Sequence, residues 1–347
     1  MGCTLSVWST LYDSVVPNGS DVWIGDRRFR VVKELGEGGF AFVYLVKEMP
    51  TERPQERPTS YVADDGQYAM KKFLIQTEEQ LQLVKQEVVS STRFQHPNLL
   101  PLLEHSIITV KDKHVSPQGA LDGNWTREAY FLFPVYREGT LQDAISQMQE
   151  TKDCFSAPEV LQILKQICGG LLVMHSSDPP FAHNDIKPGN VLLERRSGNI
   201  KAVIMDYGSV SPARRKVSTR KEALVLQEWA AEHCTAPYRA PELFDTPSSC
   251  EIDERTDVWS LGCTLYAIMY HVNPFEFAVN DKGGGGSLAL AAISGRVQWP
   301  TSPVKSYPPS FHDLVLSMLN TDWTRRPHIR DLCRTVENMI STLPPEM

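Results

Sequence analysis

The chain lacks a surplus of positive charge. Its 347 residues hold 35 Lys and Arg against 42 Asp and Glu, a formal net charge of -7. Nucleic-acid binding needs excess cations to replace counterions, so general affinity of that kind is excluded and no nucleic-acid partner is expected. Long hydrophobic runs are scarce as well. No stretch approaches the roughly 18 apolar residues of a spanning helix, and the N-terminus has no apolar signal-peptide core. The seven cysteines are scattered, with no C-x-x-C and no Cys/His cluster at metal-ligand spacing. That argues against a disulfide framework or a zinc site and suits a reducing compartment. No internal repeat is visible.

What the N-terminus does have is MGCTLS. Gly2 and Ser6 fit the N-myristoylation pattern M-G-x-x-x-[ST], and Cys3 is a neighbouring candidate for palmitoylation. One myristoyl chain binds membranes only marginally and a second acyl chain makes anchoring stable, so Cys3 would decide between visiting a membrane and staying there.

The length allows one or two domains. Apolar and polar residues alternate from Phe29 to Glu48 around a Gly-rich centre, which predicts two strands and a tight turn after a polar lead. Met49 to Gly66 reads as an exposed Pro-rich loop, and Tyr68–Phe73 as a third strand. Thr77–Phe94 is helical, with Leu81, Val84, Val88 and Phe94 on one face. Leu99–Val110 and Ala129–Tyr136 are further expected strands. Helices follow at Leu141–Gln149 and at Ala157–His175, the latter capped by Ser156. Val191–Leu193 and Ala202–Met205 are expected as short strands. Asp257–Tyr270 is apolar nearly all round, as a buried helix should be. Residues 283–286 read as a flexible Gly loop, and helices are expected near 309–319 and 328–341.

Several stretches carry chemistry. GEGGFAFV, Gly36 to Val43, places glycines between two strands, where bare backbone N–H groups can approach a polyphosphate. Lys71 follows on a strand, and Glu87 on the next helix is an anion able to hold it. His183 to Asn190 reads HNDIKPGN: a carboxylate, an ammonium and an amide, with Pro188 and Gly189 bending the chain between the last two. Arg214, Arg215, Lys216, Arg220 and Lys221 form a basic run. It reads as a solvated loop, the alternative being docking of acidic substrates or anionic lipid.

Gly36, Gly38 and Val43, then Lys71, HNDIKPGN, Asp206-Tyr207-Gly208 and Ala240-Pro241-Glu242 occur in the order of the protein kinase signature set. The chain resembles that superfamily from about Phe29 to Ile340. The resemblance implies an α+β, bilobal fold: a small antiparallel-sheet N-lobe with one helix (about 29–133), a hinge (134–139) and a larger, mainly helical C-lobe (140–342). An acylated segment, 1–28, would precede this domain and a short tail, 343–347, would follow it. It also implies ATP and Mg²⁺ as cofactors and proteins with Ser/Thr acceptors as substrates.

On this resemblance Lys71, positioned by Glu87, would pair the α/β-phosphates of ATP. Leu35, Gly36, Glu37, Gly38, Gly39, Phe40, Ala41, Phe42 and Val43, with Pro134 and Tyr136 of the hinge, would surround the nucleotide. Asp185 would orient the acceptor hydroxyl, Lys187 would offset charge on the γ-phosphoryl, and Asn190 and Asp206 would hold the metal. Lys187 in D-x-K-x-x-N resembles the Ser/Thr class. Thr235 would bridge to Asp185 and Lys187, and Glu242 would pair with Arg326. Phe133, beside the hinge, implies a restricted back pocket.

Three departures narrow the reading. Ala41 stands where the third glycine of the hairpin pattern would be. Tyr207 replaces the usual Phe, so its hydroxyl needs a partner. Asn184 replaces an Arg that elsewhere draws in a phosphorylated activation loop. Activation-loop phosphorylation is therefore expected to be dispensable, the loop being ordered instead by an amphipathic helix over Ala223–Cys234 with Ala223, Leu224, Leu226, Trp229 and Ala230 inward. Ser218 and Thr219 are candidate autophosphorylation sites. Together with the acylation signal, LQEWAAEHCTAPYRAPELF resembles the Numb-associated kinase family, which implies the cytoplasmic face of Golgi or plasma membrane with a cytosolic pool. A catalytically silent scaffold of the same fold is the rival from another class. The complete set Lys71, Glu87, Asp185, Asn190 and Asp206 argues against it. A small-molecule phosphotransferase is a second rival, and the Ala240-Pro241-Glu242 segment argues against that one.

Overall fold

Apolar side chains at alternate positions build one face of an antiparallel sheet: Val22 and Ile24, Phe29 and Val31, then Phe42, Tyr44 and Val46. The computed structural model describes residues 16–38, 41–50, 63, 65–111, 125–196, 198–280, 286–301 and 305–343. These fall into two units, one comprising the residues up to Arg93 with Leu100–Val135, the other Phe94–Leu99 with the residues from Tyr136 onward.

The first unit is a six-stranded sheet with one helix. Its strands are β1 (Asp21–Ile24), β2 (Arg27–Gly38), β3 (Ala41–Met49), β4 (Gln67–Ile75), β5 (Glu104–Lys111) and β6 (Trp125–Pro134), ordered β1-β2-β3-β4-β6-β5. Helix α1 (Glu78–Arg93) lies between β4 and β5 in the chain. β1 was hidden in the polar lead because four residues are too few to show a period. Val22 and Ile24 are nevertheless buried while Trp23 faces out. Thr77 and Gln80 form a reciprocal cap at the start of α1, each backbone N–H donating to the other's side chain at 3.2 Å. The expected strand from Leu99 begins only at Glu104. Pro101 has no N–H for a ladder, and Leu99 instead bridges to Ile204 in the second unit. β6 likewise starts earlier than expected, at Trp125, and stops at Pro134, leaving Tyr136 outside it.

The second unit is helical around one buried rod. Its elements are α2 (Leu141–Thr151), α3 (Ala157–His175), β7 (Phe181–Ala182), β8 (Val191–Arg196), β9 (Asn199–Ile204), β10 (Ser211–Pro212), β11 (Arg215–Val217), α4 (Arg220–His233), α5 (Pro241–Phe244), β12 (Cys250–Ile252), α6 (Arg255–Tyr270), α7 (Pro274–Asn280), α8 (Leu288–Ser294), α9 (Pro309–Met318) and α10 (Ile329–Thr342). Ser156 and Glu159 make a capping box on α3, as Thr140 and Asp143 do on α2, each cap contributing about 1 kcal/mol. α3 is long and apolar enough to cross a membrane, but half of that window is buried in the protein. It is a core helix, packed on α10 and β9.

α6 is buried from Thr256 through Met269. Trp259 stacks on Phe275 with centroids 5.1 Å apart, and each fully buried large apolar side chain contributes roughly 1.5–3 kcal/mol. α7 and α8 flank the Gly run and were not foreseen, since seven-residue helices carry too few turns for a clear period.

Candidate active site

In the first unit Lys71 stands on β4, opposite Val43 on one side and Phe131 on the other. Its ammonium meets Glu87 with Nζ–Oε1 at 2.8 Å. Glu87 is buried on the same face of α1 as Leu81 and Val84, at a spacing of three residues. A carboxylate so placed needs a cation, and Lys71 supplies one while Phe73 supports the ammonium at 4.8 Å. In the Gly-rich hairpin Leu35 and Glu37 are exposed, and Gly38 pairs with Ala41. Phe42 departs from expectation: its ring is core, stacked on Tyr44, which leaves only its backbone for a nucleotide. Pro134 and Phe133 are buried and Tyr136 is half-buried. Gly2, Cys3, Gly39 and Phe40 lie outside the described residues.

In the second unit the loop HNDIKPGN gathers its polar groups on one carboxylate. Lys187 donates to Asp185 Oδ2 at 2.7 Å and to Thr235 Oγ1 at 2.6 Å. The Thr235 N–H donates to Asp185 Oδ1 at 2.9 Å. Asn190 donates through Nδ2 to Asp185 O at 2.8 Å and to Oδ2 at 3.0 Å. A 3-10 turn at Pro188–Asn190 brings that amide back over the aspartate. Thr235 thus ties the segment before α5 directly to the loop. Asp206 follows β9 in a left-handed conformation (φ 66°), its Oδ1 accepting from Gly208 N at 3.4 Å. The Tyr207 ring is buried, and its hydroxyl donates to Ile204 O at 3.4 Å.

Asp257 was missed as a functional residue. Fully buried at the start of α6, it accepts the backbone N–H of His183 and of Asn184, both at 2.7 Å, and pairs with His175 Nε2 at 2.9 Å. The sequence did carry a signal: a lone carboxylate opening an otherwise apolar helix must find donors.

Asn184 is buried at φ 66°, a conformation that Asn tolerates better than most residues. Its Nδ2 donates to Ala182 O, Ser209 O and Ser211 Oγ at 2.9–3.0 Å. A neutral amide therefore ties the catalytic-looking loop to the segment after Asp206. The basic run beyond it is solvated as expected at Arg214, Lys216, Arg220 and Lys221, but it runs along a strand and into a helix instead of a loop, and Arg215 is the exception. Arg215 sits on β11, half-buried, donating to Ser211 Oγ at 2.7 Å with its guanidinium 3.4 Å from the Trp229 ring centroid. Arg220 and Lys221 open α4, whose cap is Thr219 accepting from Glu222 N. α4 buries Ala223, Leu226 and Ala230, but Leu224 points to solvent, contrary to expectation.

Glu242 and Arg326 form a bidentate pair, both contacts at 2.7 Å, with side chains 1% and 0% exposed. The guanidinium also donates to Asn320 O and Arg255 O and lies over Trp259. That satisfaction is what makes a buried charge tolerable.

Residues 29–336 match the protein kinase domain. The chain belongs to the protein kinase family. It is similar to serine/threonine-protein kinase 16 of Rattus norvegicus, at 36% identity covering 93% of this chain and 94% of the relative. The human protein of that name is 35% identical over the same shares. Serine/threonine-protein kinase ppk13 of Schizosaccharomyces pombe is 28% identical, covering 97% of this chain and 99% of the relative. The kinase is thus an α+β enzyme of the serine/threonine class, for which the family implies ATP and a divalent metal.

The donor set suits magnesium. With its amide nitrogen committed to Asp185, Asn190 keeps a hard carbonyl oxygen for a cation, and Asp206 offers a carboxylate. Among the described residues no group of three or more His, Cys, Asp or Glu gathers as an all-protein cage. Mg²⁺ fits such a sparse set, being held by one or two protein oxygens with substrate phosphates and waters.

Proposed function

We propose that this kinase transfers the γ-phosphoryl of ATP to Ser or Thr of protein substrates through the residues just described, and that it works at a membrane surface. The observation that carries the reading is the Asp185 cluster. Both carboxylate oxygens are held by donors, so the side chain cannot rotate away from an incoming hydroxyl. Phosphoryl transfer passes through a loose transition state in which positioning and charge neutralisation outweigh proton abstraction. Asp185 orients the acceptor hydroxyl and takes its proton as the bond from that oxygen to the γ-phosphorus forms. The bond from phosphorus to the β,γ-bridging oxygen breaks, and ADP leaves with the electron pair. Lys187, already shared between Asp185 and Thr235, places a cation beside the transferring group. Lys71, fixed by Glu87, pairs the α/β-phosphates. Asn190 and Asp206 would hold Mg²⁺, which would neutralise phosphate charge. Gly36 adopts no left-handed φ, and a Cβ there would meet open space. Close approach of a ligand is therefore the physical use for glycine at that position.

Membrane attachment through Gly2 and Cys3, autophosphorylation, a place among the Numb-associated kinases and a site at the cytoplasmic face of Golgi or plasma membrane complete the proposal. The test is phosphorylation of a protein acceptor with radiolabelled ATP, comparing wild type with Asp185→Ala and mapping the modified residues by mass spectrometry. The variant should lose about two orders of magnitude or more in kcat while still binding nucleotide. Equal labelling by both proteins, or label appearing on a small molecule alone, would sink the reading.

A further inference from the structure

β11 and α4 border an open groove of about 560 Å³ whose charges the phosphotransfer residues do not use. Arg215 lines it, stacked on Trp229 and bonded to Ser211, yet no carboxylate among the described residues pairs with it. Burial holds the Arg215 pKa down to about 10, the mark of a cation short of a counter-charge. Lys216 and Lys221 line the same groove, both exposed. Glu251 faces Lys216 across the β11–β12 ladder without forming an ion pair. The one lining carboxylate, Glu222, is turned onto the Ser218 N–H at 2.7 Å. Between these charges lie apolar surfaces, with Val217 and Leu226 buried and Trp229 half-buried.

We propose that this groove is a docking site for an acidic segment of a protein substrate. A carboxylate of that segment meets Arg215 and the two lysines, while a neighbouring apolar side chain packs on Val217, Leu226 and Trp229. The proposal deepens the protein-kinase reading and rests on it, since the occupant is the polypeptide to be modified. Charge complementarity selects an acidic partner. The exposed lysines alone would suit a peptide or an anionic membrane. The recessed Arg215, stacked on the Trp229 indole, favours a peptide whose side chain can reach into the groove where a flat lipid surface cannot. The same Arg215 shares Ser211 Oγ with Asn184, so the occupied groove would sit one side chain away from the loop that holds Asp185.

The experiment is fluorescence anisotropy without nucleotide, using a fluorescein-labelled peptide of alternating Glu and Leu and its counterpart with Gln for Glu. Wild type should bind the Glu peptide about tenfold or more tightly than the Gln peptide. The double variant Lys216→Glu, Lys221→Glu should lose that preference while its circular dichroism is unchanged. In phosphorylation assays the same variant should raise KM for a substrate protein with an acidic segment. It should leave KM and kcat unchanged for a peptide substrate lacking one. Equal binding of the two peptides, or an unaffected double variant, overturns the proposal. So does binding of phosphatidylserine vesicles through these lysines without binding of the Glu peptide. Peptide binding by a protein that labels no acceptor would sink the phosphotransfer reading and leave the groove standing.

Discussion

At the residue scale the second unit depends on a few buried polar contacts. Removing one partner of the Glu242–Arg326 pair leaves the other charge in a water-free site. Arg326→Met should therefore destabilise by about 3–5 kcal/mol in urea unfolding. The double replacement Glu242→Leu, Arg326→Met should recover a large part of that loss; if it unfolds as easily as the single variant, the pair is not the cause. His96 behaves differently. It is half-buried against Gly169 of α3, and its Nδ1 accepts the Asn98 N–H at 3.2 Å, which requires the neutral ring. Burial lowers its pKa below the ordinary 6.5. The unfolded chain then takes up the proton first, so the contribution is complete above that value and is lost as pH falls through it towards the folded pKa. Melting temperatures measured from about pH 7.5 down to about pH 5.5 should fall more steeply for wild type than for His96→Asn, which keeps an acceptor that does not titrate. Parallel curves would remove His96 from the account.

Elements were legible in proportion to their length and the regularity of their pattern. α3 and α6 could be read to within two residues, because Ser156 marks one start and a nearly all-apolar face marks the other as buried. The four residues of β1 and the seven-residue helices around the Gly run gave no period to read. The resemblance paired Lys71 with Glu87, Thr235 with Asp185 and Lys187, and Glu242 with Arg326, and the structure brings these partners together. Asn190, expected to share a metal with Asp206, hydrogen-bonds to Asp185. Their roles remain for the assays above. The partners of Asp257 and Arg215 were not legible, since they are backbone amides, a histidine and an indole distant in sequence, although the lone carboxylate of an apolar helix and the basic run marked the two residues themselves. α4 also bears on regulation. It buries Ala223, Leu226 and Ala230, and Asn184 ties the segment ahead of it through Ser209 and Ser211 without any phosphate. Phosphatase-treated protein should keep its activity within about twofold. A loss of activity restored by rephosphorylation would refute this.

At the scale of the whole molecule, a net charge of -7 gives no general attraction to an anionic membrane. On the proposal of membrane attachment, the acyl groups would have to supply it. Gly2→Ala should move the protein from the membrane pellet to the supernatant on fractionation, and Cys3→Ser should leave a weak association that washes off. A Gly2→Ala protein that still pellets would show another anchor. The hydrogen bonds of Asp257 have a consequence for lifetime. His183 and Asn184 hang from the most deeply enclosed helix of the second unit, so their amides cannot open to solvent unless that helix leaves its place. Deuterium should enter these two positions only as fast as the entire unit unfolds. Heating should abolish phosphotransfer at the temperature where that unit melts, with no earlier stage of softened, inactive protein.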